Sequence, residues 1–573
     1  MCIGRGRKYL RSTFMYVGWL CGAPPDAVVS RAAAALPEPA RGLLDGLAFI
    51  CADRKVQEWR TMRTITGRSD HIVVIGAGLA GLSAALHLAG RGRAVTVLER
   101  EPVPGGRAGR ADVRGYHLDT GPTVLTMPDL IEEVFAAVGE NMGDRLSLEP
   151  VEPAYRAHFA DGRQLDVHTD AERMAAAITE FTGAEQAAGY RRLRAWLTRL
   201  YRCEFDDFIA TNFDTPLSML TPALGRLTAL GGFRRWDRAV AAHITDPDLR
   251  RVFTFQSLYA GVAPARAMAA YAVIAYMDTI GGVWFPRGGM RALPDAFSAA
   301  ATTAGVRIHY ETTVTGMDRT GSRIDAVVTD AGDRVPCDAV VCTTDLPETY
   351  RLLRHRSRRP LRPTAAPSAV VVHMGCASAP EVAHHSLLFG RAWDEAFGDI
   401  MTGGRVMTDP SLLVTRSTAG DAALAPPGRD LLYVLAPVPN LARGRINWDR
   451  FGPAYAEEML TAVNDRLPTP VSDPEVLRIT TPADWARRGM LAGSPFALAH
   501  TFAQTGPFRP ANMIRGLDNA VLAGGCTVPG VGIPPVLISG RLAADRITGP
   551  SASSPVVGRY AAMSEQGSSR PAS

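Results

Sequence analysis

The chain lacks the cysteine patterns that serve redox and metal chemistry. It holds eight cysteines among 573 residues, but none form a C-x-x-C pair, and no cysteine–histidine spacing matches a zinc site. We therefore predict no metal site and no redox-active disulfide, which argues against a disulfide reductase. We expect the thiols to be reduced, as in an intracellular protein.

Long apolar runs are missing as well. No stretch approaches the roughly 18 consecutive apolar residues that indicate a membrane-spanning helix. The apolar segment at residues 14–21 is short, contains Gly18 and has no convincing small-residue cleavage site after it. The sequence therefore predicts no spanning helix and disfavours a secretory signal.

An excess of basic charge is confined to the N-terminal part. Residues 1–70 hold 11 Lys and Arg against 6 Asp and Glu, which accounts for the whole formal net charge of +5. The rest of the chain is neutral overall, so we expect no nucleic-acid partner. One local basic run fits either a solvated surface or contact with anionic lipid headgroups; it comprises Arg351, Arg354, Arg356, Arg358, Arg359 and Arg362.

What the chain does contain is a glycine-rich turn between an apolar run and a segment of helical periodicity. Gly76, Gly78 and Gly81 follow the run 73–75 in the spacing G-x-G-x-x-G, and residues 82–89 place small apolar side chains on one face. The three glycines would permit, in order, a tight turn, approach of the backbone to a pyrophosphate, and close packing of helix on strand. Free N–H groups at the helix start favour an anionic phosphate. The pattern predicts a dinucleotide site, and the alternative is a glycine-rich turn without a ligand.

Two later features concern the kind of dinucleotide. Glu99 ends a second apolar run at 95–98, where a carboxylate accepts hydrogen bonds from ribose hydroxyls and would repel the 2′-phosphate of NADP. Gly105 and Gly106 would bring the backbone close to the cofactor, and Arg107 offers a guanidinium fork to phosphate. A nicotinamide domain does not usually need the second feature, so the pattern favours FAD. Read alone, the Gly-Gly-Arg sequence could also be a plain turn with a solvated arginine.

The remaining pattern divides the chain into segments. Residues 1–70 precede the first strand as an extension, and Met62 could be the true initiator. Strand candidates occur between 71 and 170 and between 281 and 345, whereas 171–280 is mainly helical and 346–490 mixes both. Residues 551–573 are rich in Ser, Pro and Ala, and we predict a disordered tail.

Five stretches carry a specific family resemblance. They are Gly105-Gly-Arg-Ala; Tyr116-His-Leu-Asp-Thr-Gly-Pro-Thr-Val; Gly282-Val-Trp-Phe-Pro-Arg-Gly-Gly-Met; Leu435-Ala-Pro-Val-Pro-Asn; and Gly524-Gly-Cys-Thr-Val-Pro-Gly-Val-Gly-Ile-Pro. In this order, across roughly residues 71–548, the chain resembles the bacterial-type phytoene desaturases, within the flavin amine-oxidase-like superfamily. The resemblance implies an α/β protein in which a Rossmann-type FAD-binding domain is assembled from discontinuous segments, 71–170, 281–345 and 491–550. It implies that a mixed sheet-plus-helix substrate domain, 171–280 and 346–490, is interleaved with it and faces a membrane.

The resemblance also implies roles for individual residues. Gly76, Gly78 and Gly81 would hold the pyrophosphate, Glu99 the ribose, and Gly105, Gly106 and Arg107 would lie beside the phosphates. Val314 would present its backbone to adenine. The residues expected beside the isoalloxazine and ribityl chain are Asp119, Gly121, Pro122, Thr123, Gly525, Val531, Gly532 and Ile533, with a helix start near Pro534 that would stabilise negative charge on reduced flavin.

The group that accepts the substrate proton is not assigned by the resemblance. Some family members carry an Asp and then an Arg where this chain has Ser218 and Thr221. Asp214 is a candidate substitute, although capping of a helix before Pro216 is the alternative reading, and water or flavin itself could take the proton. Six aromatic side chains fit either a polyene tunnel or ordinary core packing: Phe253, Phe255, Tyr259, Tyr271, Tyr276 and Trp284.

The resemblance thus implies an FAD-dependent carotenoid desaturase that acts on phytoene, by hydride transfer to flavin N5 with proton loss from the adjacent carbon. Peripheral attachment to the inner face of the cytoplasmic membrane is expected, with oxygen or quinone as electron acceptor. The alternatives are a carotenoid isomerase, a desaturase or oxygenase of another isoprenoid, and a non-catalytic lipid carrier of the same fold.

Overall fold

The computed structural model describes residues 62–355 and 363–551. Most of the predicted N-terminal extension, four arginines of the basic run (Arg356, Arg358, Arg359 and Arg362) and nearly all of the predicted tail lie outside the described residues.

The described chain alternates between strands and helices. The strands are β1 His71–Ile75, β2 Ala94–Leu98, β3 Arg110–Val113, β4 Tyr116–Asp119, β5 Leu148–Val151, β6 Tyr155–His158, β7 Gln164–Val167, β8 Val283–Pro286, β9 Arg307–His309, β10 Val314–Thr320, β11 Arg323–Thr329, β12 Arg334–Pro336, β13 Ala339–Cys342, β14 Ser368–Cys376, β15 His385–Leu388, β16 Leu412–Arg416, β17 Asp430–Val438, β18 Glu475–Thr480 and β19 Ala520–Leu522.

The α-helices are α1 Leu79–Gly90, α2 Pro128–Ala136, α3 Ala171–Thr182, α4 Ala184–Glu204, α5 Pro222–Ala229, α6 Trp236–Ala241, α7 Pro247–Val252, α8 Val273–Thr279, α9 Ala292–Thr303, α10 Leu346–Leu352, α11 Trp393–Gly398, α12 Trp448–Arg466, α13 Pro482–Arg487 and α14 Ile533–Thr548.

A five-stranded parallel sheet carries the glycine-rich turn. Its strand order is β19-β13-β1-β2-β9, and every neighbouring pair is parallel. The central strand β1 is buried from Ile72 to Ile75, which explains why its sequence is a continuous apolar run rather than an alternating one. The sheet draws strands from three distant parts of the chain, as expected for a nucleotide-binding domain built from separate segments.

A seven-stranded mixed sheet forms the second centre of the fold. Its order is β18-β14-β17-β16-β15-β6-β7, and all its pairs are antiparallel except β15 with β6. Helix α12 packs against it through a buried cluster that includes Trp448, Tyr455 and Met459. Helices α3 to α8 account for most of the segment 171–280, which agrees with the helical pattern of that part of the sequence.

The structure differs from the predicted segment boundary at residue 170. Strands β6 and β7, placed by the sequence with the nucleotide-binding part, belong to the seven-stranded sheet because β6 pairs with β15. The short hairpin alternates buried and partly exposed residues, and this pattern predicts a strand but not the sheet that the strand joins. The partner is more than 200 residues away in the chain, so only the tertiary structure identifies it.

Helices α1 and α14 pack closely because α14 has a glycine at the contact. A Cβ added at Gly540 would lie 2.6 Å from the carbonyl oxygen of Ala80 and 2.7 Å from the backbone nitrogen of Ala84. The Ser83 hydroxyl donates a hydrogen bond to the carbonyl of Leu537 at 2.8 Å in the same contact. The short distance between the two helices therefore depends on glycine, which has no side chain, at position 540.

We expect Gly540→Ala to lower the free energy of unfolding by about 1–3 kcal/mol, because the added methyl group meets backbone atoms that cannot move independently. Gly398→Ala is the matched control, since a Cβ at this helical position meets nothing within 4 Å. Urea denaturation followed by circular dichroism measures both variants. Equal stability of the two variants would contradict the proposed backbone contact.

Candidate active site

The turn between β1 and α1 has the geometry of a phosphate-binding site. Gly76 has φ +104°, a conformation that L side chains rarely adopt. A Cβ at Gly81 would lie 2.0 Å from the carbonyl oxygen of Gly76, so the third glycine is required for helix–strand packing. Helix α1 starts after Gly78 with no side-chain cap. Its first N–H groups therefore remain available to an anion.

Glu99 links the ends of the first two strands. Its carboxylate accepts hydrogen bonds from the backbone N–H of Ala77 at 2.6 Å and of Glu101 at 3.0 Å. The side chain is buried, and it lines the large cavity beside the turn. A carboxylate has about four acceptor positions, so this one can still accept hydrogen bonds from ribose hydroxyls.

The second glycine pair lies against the first turn. Gly105 donates its backbone N–H to the carbonyl of Ala77 at 2.9 Å, and a Cβ at Gly106 would lie 3.3 Å from the Cα of Gly78. Arg107 donates from Nη2 to Asp345 at 2.8 Å, while its buried Nε has no hydrogen-bond partner among the described residues. The guanidinium is thus held by a carboxylate, and Arg107 is one of the residues that line the cavity.

Residues 120–123 line the cavity, whereas the side chain of Asp119 points into the protein interior. Gly121, Pro122 and Thr123 line the cavity together with Thr120. The carboxylate of Asp119 instead accepts the backbone N–H of Met290 at 3.0 Å and is not part of the wall. Its burial raises the pKa of Asp119 to about 7.

The other residues assigned to the cofactor converge on the same cavity. Val314 at the start of β10 and Gly525 both line it, as do Val531, Gly532 and Ile533. Helix α14 begins at Ile533, directly after Gly532, with no acidic residue in its first turn. Its positive end therefore points towards the cavity, close to the predicted start at Pro534.

The cavity has a volume of about 1010 Å³ and continues from this polar region into an apolar one. We call the second region the apolar arm; its wall includes Phe208, Ile209, Phe213, Met219, Leu227, Met268, Tyr271, Ile274 and Met277. Of the six aromatic residues singled out by the sequence, Tyr259 and Tyr271 line this cavity. Phe255 borders a small adjacent cavity, whereas Phe253, Tyr276 and Trp284 line neither.

The structure contradicts both interpretations of Asp214. Its carboxylate accepts hydrogen bonds from Arg546 at 2.7 Å and from the backbone N–H of Arg63 at 2.8 Å, and it does not line the cavity. The helical turn that follows begins at Pro216 after Thr215, without a side-chain cap. Arg546 is only 1% exposed, so Asp214 neutralises a buried guanidinium that is more than 300 residues away in the chain.

Two carboxyl groups of the apolar arm were missed by sequence reasoning. Glu204, 4% exposed, and Asp278, 3% exposed, both line the cavity. Burial raises the pKa of Asp278 to about 8 and the pKa of Glu204 well above its usual range. Asp278 is the single acidic residue in the apolar stretch 272–286, and an isolated acid of this kind could have been recognised in the sequence as a candidate site residue. Glu204 lies among other charged residues, so the sequence does not distinguish it.

Together these groups fit FAD. The uncapped helix start and the spare acceptor positions of Glu99 supply contacts that a dinucleotide needs, and Arg107 lines the same cavity. Among the described residues, no group of three His, Cys, Asp or Glu side chains could hold a metal ion. The fold and the site are those of a flavin-dependent oxidoreductase.

Comparisons with known proteins support the assignment to the flavin-dependent oxidoreductases. Residues 79–548 match the family of flavin containing amine oxidoreductases. The chain is 58% identical to the phytoene dehydrogenase of Streptomyces griseus, over 85% of this chain and 97% of that protein. It is 38% identical to the zeta-carotene-forming phytoene desaturase of Myxococcus xanthus, over 83% and 93%. The chain therefore belongs to the flavin containing amine oxidoreductases and, within them, to the phytoene desaturase family.

Solved structures share the fold at low sequence identity. An oxidoreductase from Methanosarcina mazei is similar with a TM-score of 0.57 and 16% identity, covering 82% of this chain and 98% of that chain. Putrescine oxidase bound to putrescine gives a TM-score of 0.54 and 14% identity, covering 83% and 98%. The fold is therefore confirmed as flavin amine-oxidase-like, and the protein is an FAD-dependent oxidoreductase.

We expect Glu99→Ala to raise the dissociation constant for FAD by roughly 10–100-fold, because hydrogen bonds to a charged acceptor contribute about 1.5–3 kcal/mol. Quenching of flavin fluorescence by the apoprotein measures the affinity. Glu149→Ala, an exposed carboxylate on β5, is the control and should bind FAD like the parent. Unchanged affinity in Glu99→Ala would show that this carboxylate does not hold the ribose.

Proposed function

We propose that this protein desaturates a carotenoid precursor, phytoene, by removing one hydride and one proton from adjacent carbons. The apolar arm carries the proposal, because a wall of aliphatic and aromatic side chains next to a flavin site suits a hydrocarbon. The relatives named as phytoene desaturases support the same substrate. When bound, FAD supplies the hydride acceptor for a C–H bond that carries little polarity.

The residues of the cavity contribute alignment and exclusion of water. Side chains such as Phe208, Met219 and Met277 offer no hydrogen bond to water, so the arm favours an apolar chain by the hydrophobic effect. The uncapped start of α14 places positive partial charge at the cavity. This charge would stabilise the negative charge that bound FAD gains when it accepts the hydride.

Expression in a host that accumulates phytoene tests the proposal. We expect coloured products whose absorption shifts to longer wavelength with each added double bond, and whose mass falls by two hydrogens per step. An isomer of unchanged mass would indicate a carotenoid isomerase. An oxygenated product, or activity on another isoprenoid alone, would indicate the second alternative. Protein that binds the hydrocarbon but no FAD would indicate a lipid carrier.

We also propose that the protein attaches peripherally to the inner face of the cytoplasmic membrane, where phytoene is dissolved. No helix in the described ranges is long and apolar enough to cross a membrane. Two exposed phenylalanines support this attachment: Phe233 lines the cavity and is 37% exposed, and Phe502 is 54% exposed, with its ring tilted against that of Phe508.

Basic side chains follow Phe233 directly in the chain. Arg234, Arg235 and Arg266 are exposed, and Arg235 donates a hydrogen bond to the carbonyl of Arg266 at 2.6 Å, which keeps these arginines adjacent. Apolar side chains beside arginines suit the boundary between anionic headgroups and acyl chains.

We expect the double variant Phe233→Ser/Phe502→Ser to bind vesicles of phosphatidylcholine with 30% phosphatidylglycerol at least about tenfold more weakly, since each ring contributes up to about 1.5–3 kcal/mol when buried. Cosedimentation measures the binding. Val476→Ser is the control, because Val476 is 43% exposed on β18, outside the cavity wall. Equal loss in the control would contradict a specific membrane-facing surface.

The electron acceptor in this proposal is oxygen or a quinone. Photoreduced protein in vesicles, mixed with quinone under argon or with oxygen alone, distinguishes the two by the return of the oxidised flavin spectrum.

A further inference from the structure

Asp278 is one of the few carboxyl groups on the wall of the cavity. Among the described residues of the cavity wall, six side chains carry a carboxyl group. Glu99 and Asp345 contact the glycine-rich turn or Arg107, Glu101 is next to Glu99, and Glu348 is paired with Arg351. Only Asp278 and Glu204 then remain for the apolar arm.

Asp278 is held in place by two buried donors. The Tyr155 hydroxyl donates to Oδ2 at 3.2 Å, and Gln256 donates from Nε2 to Oδ1 at 3.4 Å. Tyr155 and Gln256 are fully buried. Glu204 is different, because its buried Oε1 has no hydrogen-bond partner among the described residues. An oriented carboxyl group at the cavity wall is the arrangement that general base catalysis requires.

A chain of contacts connects Asp278, through Tyr155, to Thr123, which is another residue of the cavity wall. The Tyr155 ring lies 5.8 Å from the His385 ring, measured between centroids. The Nδ1 of His385 is 3.0 Å from the Thr415 hydroxyl, which is 3.0 Å from the hydroxyl of Thr123. Thr123 lines the cavity in the segment predicted to lie beside the isoalloxazine, so these contacts join Asp278 to another part of the same cavity wall.

We propose that Asp278 accepts the proton that the substrate loses, and that Tyr155 is the positioning residue for its carboxylate. One C–H bond breaks with its electron pair, and hydrogen and pair leave together as hydride to the flavin. The neighbouring C–H bond breaks, its electron pair forms the new double bond, and its proton bonds to a carboxylate oxygen of Asp278. The inference rests on the proposed desaturase function.

Among Asp278 and the side chains that surround it, Asp278 is the group that titrates near pH 8, whereas Asp119, with a pKa of about 7, lies outside the cavity wall. Its pKa is about 8 because of burial, with Tyr155 and Gln256 partly opposing the shift. The phenols of Tyr155, Tyr259 and Tyr433 have raised pKa values, and burial lowers the pKa of His385 well below its usual range. These neighbours stay neutral between pH 6 and pH 9. The reactive carboxylate therefore forms as the pH rises through about 8, and the rate should rise with it.

The test uses FAD-loaded protein with phytoene in vesicles, under argon, and follows bleaching of the flavin absorption. We expect Asp278→Asn to slow flavin reduction by about 10²–10⁴-fold and to lose the rise in rate near pH 8, with its FAD content unchanged. Asp394→Asn, an exposed carboxylate on α11, should behave like the parent. We expect Tyr155→Phe to slow reduction less and to move the midpoint to higher pH, because the lost hydrogen bond favoured the charged form.

A second measurement does not depend on activity. Infrared difference spectra between pH 6 and pH 10 should show protonated carboxyl absorption with one component that disappears with a midpoint near pH 8 in the parent. This component should be missing in Asp278→Asn, whereas the component of Asp119, with a midpoint near pH 7, should remain. This readout and the Tyr155→Phe profile remain decisive if Asp278→Asn loses FAD.

Several outcomes would overturn the proposal. Parental rates and pH dependence in Asp278→Asn would exclude Asp278 as the base, and a larger rate loss in Glu204→Gln would transfer the role to Glu204. A parent protein that phytoene does not reduce would instead refute the proposed substrate, while leaving the infrared assignment of Asp278 intact.

Discussion

The carboxylate of Glu99 is the contact on which the cofactor site depends. It accepts two backbone N–H groups, those of Ala77 and Glu101, and so holds the loop after β1 against the end of β2. The carbonyl of Ala77 in turn accepts the N–H of Gly105, which brings the second glycine pair against the first turn. Backbone segments can approach this closely only where side chains are missing. The close approach of these two glycine-containing loops therefore depends on the absence of side chains at the glycines and on the carboxylate of Glu99 between β1 and β2.

Desolvation organises the rest of the site. The cavity is polar near the glycine-rich turn and apolar between the helices of residues 171–280. A carboxyl group placed in or near the apolar region cannot be hydrated, so its neutral form is favoured. Asp119, Asp278 and Glu204 all have raised pKa values for this reason. The same exclusion of water that makes the arm suitable for an apolar ligand thus also raises the pKa of Asp278 to about 8, which is the property that its proposed role requires.

Sequence reasoning succeeded where function depends on local spacing. The turn at Gly76–Gly81 and the acid Glu99 were predicted because each has a mechanism within a few residues of chain, and both lie at the ends of strands as expected. The helix that the family resemblance implied near Pro534 begins at Ile533. The contacts of these residues with the cofactor stay predictions. Asp345 could also have been found, since it follows β13 at the carboxyl end of a parallel strand next to β1. Asp214 was misread, because its neighbours in sequence suggest a cap, whereas Arg546 is its actual partner.

The amino-acid sequence by itself determined the cofactor class and the strand, turn and helix of the dinucleotide motif, because hydrophobic period, glycine spacing and a strand-terminal acid are short-range properties. The family followed from the resemblance of five short stretches, which are local as well. Only the tertiary structure decided that β6 and β7 join the second sheet, that Asp119 faces the interior, and that Asp278 and Glu204 face the apolar arm. Burial, pKa and ion pairing are set by residues distant in the chain. These properties exist only once the sheets and helices have packed together.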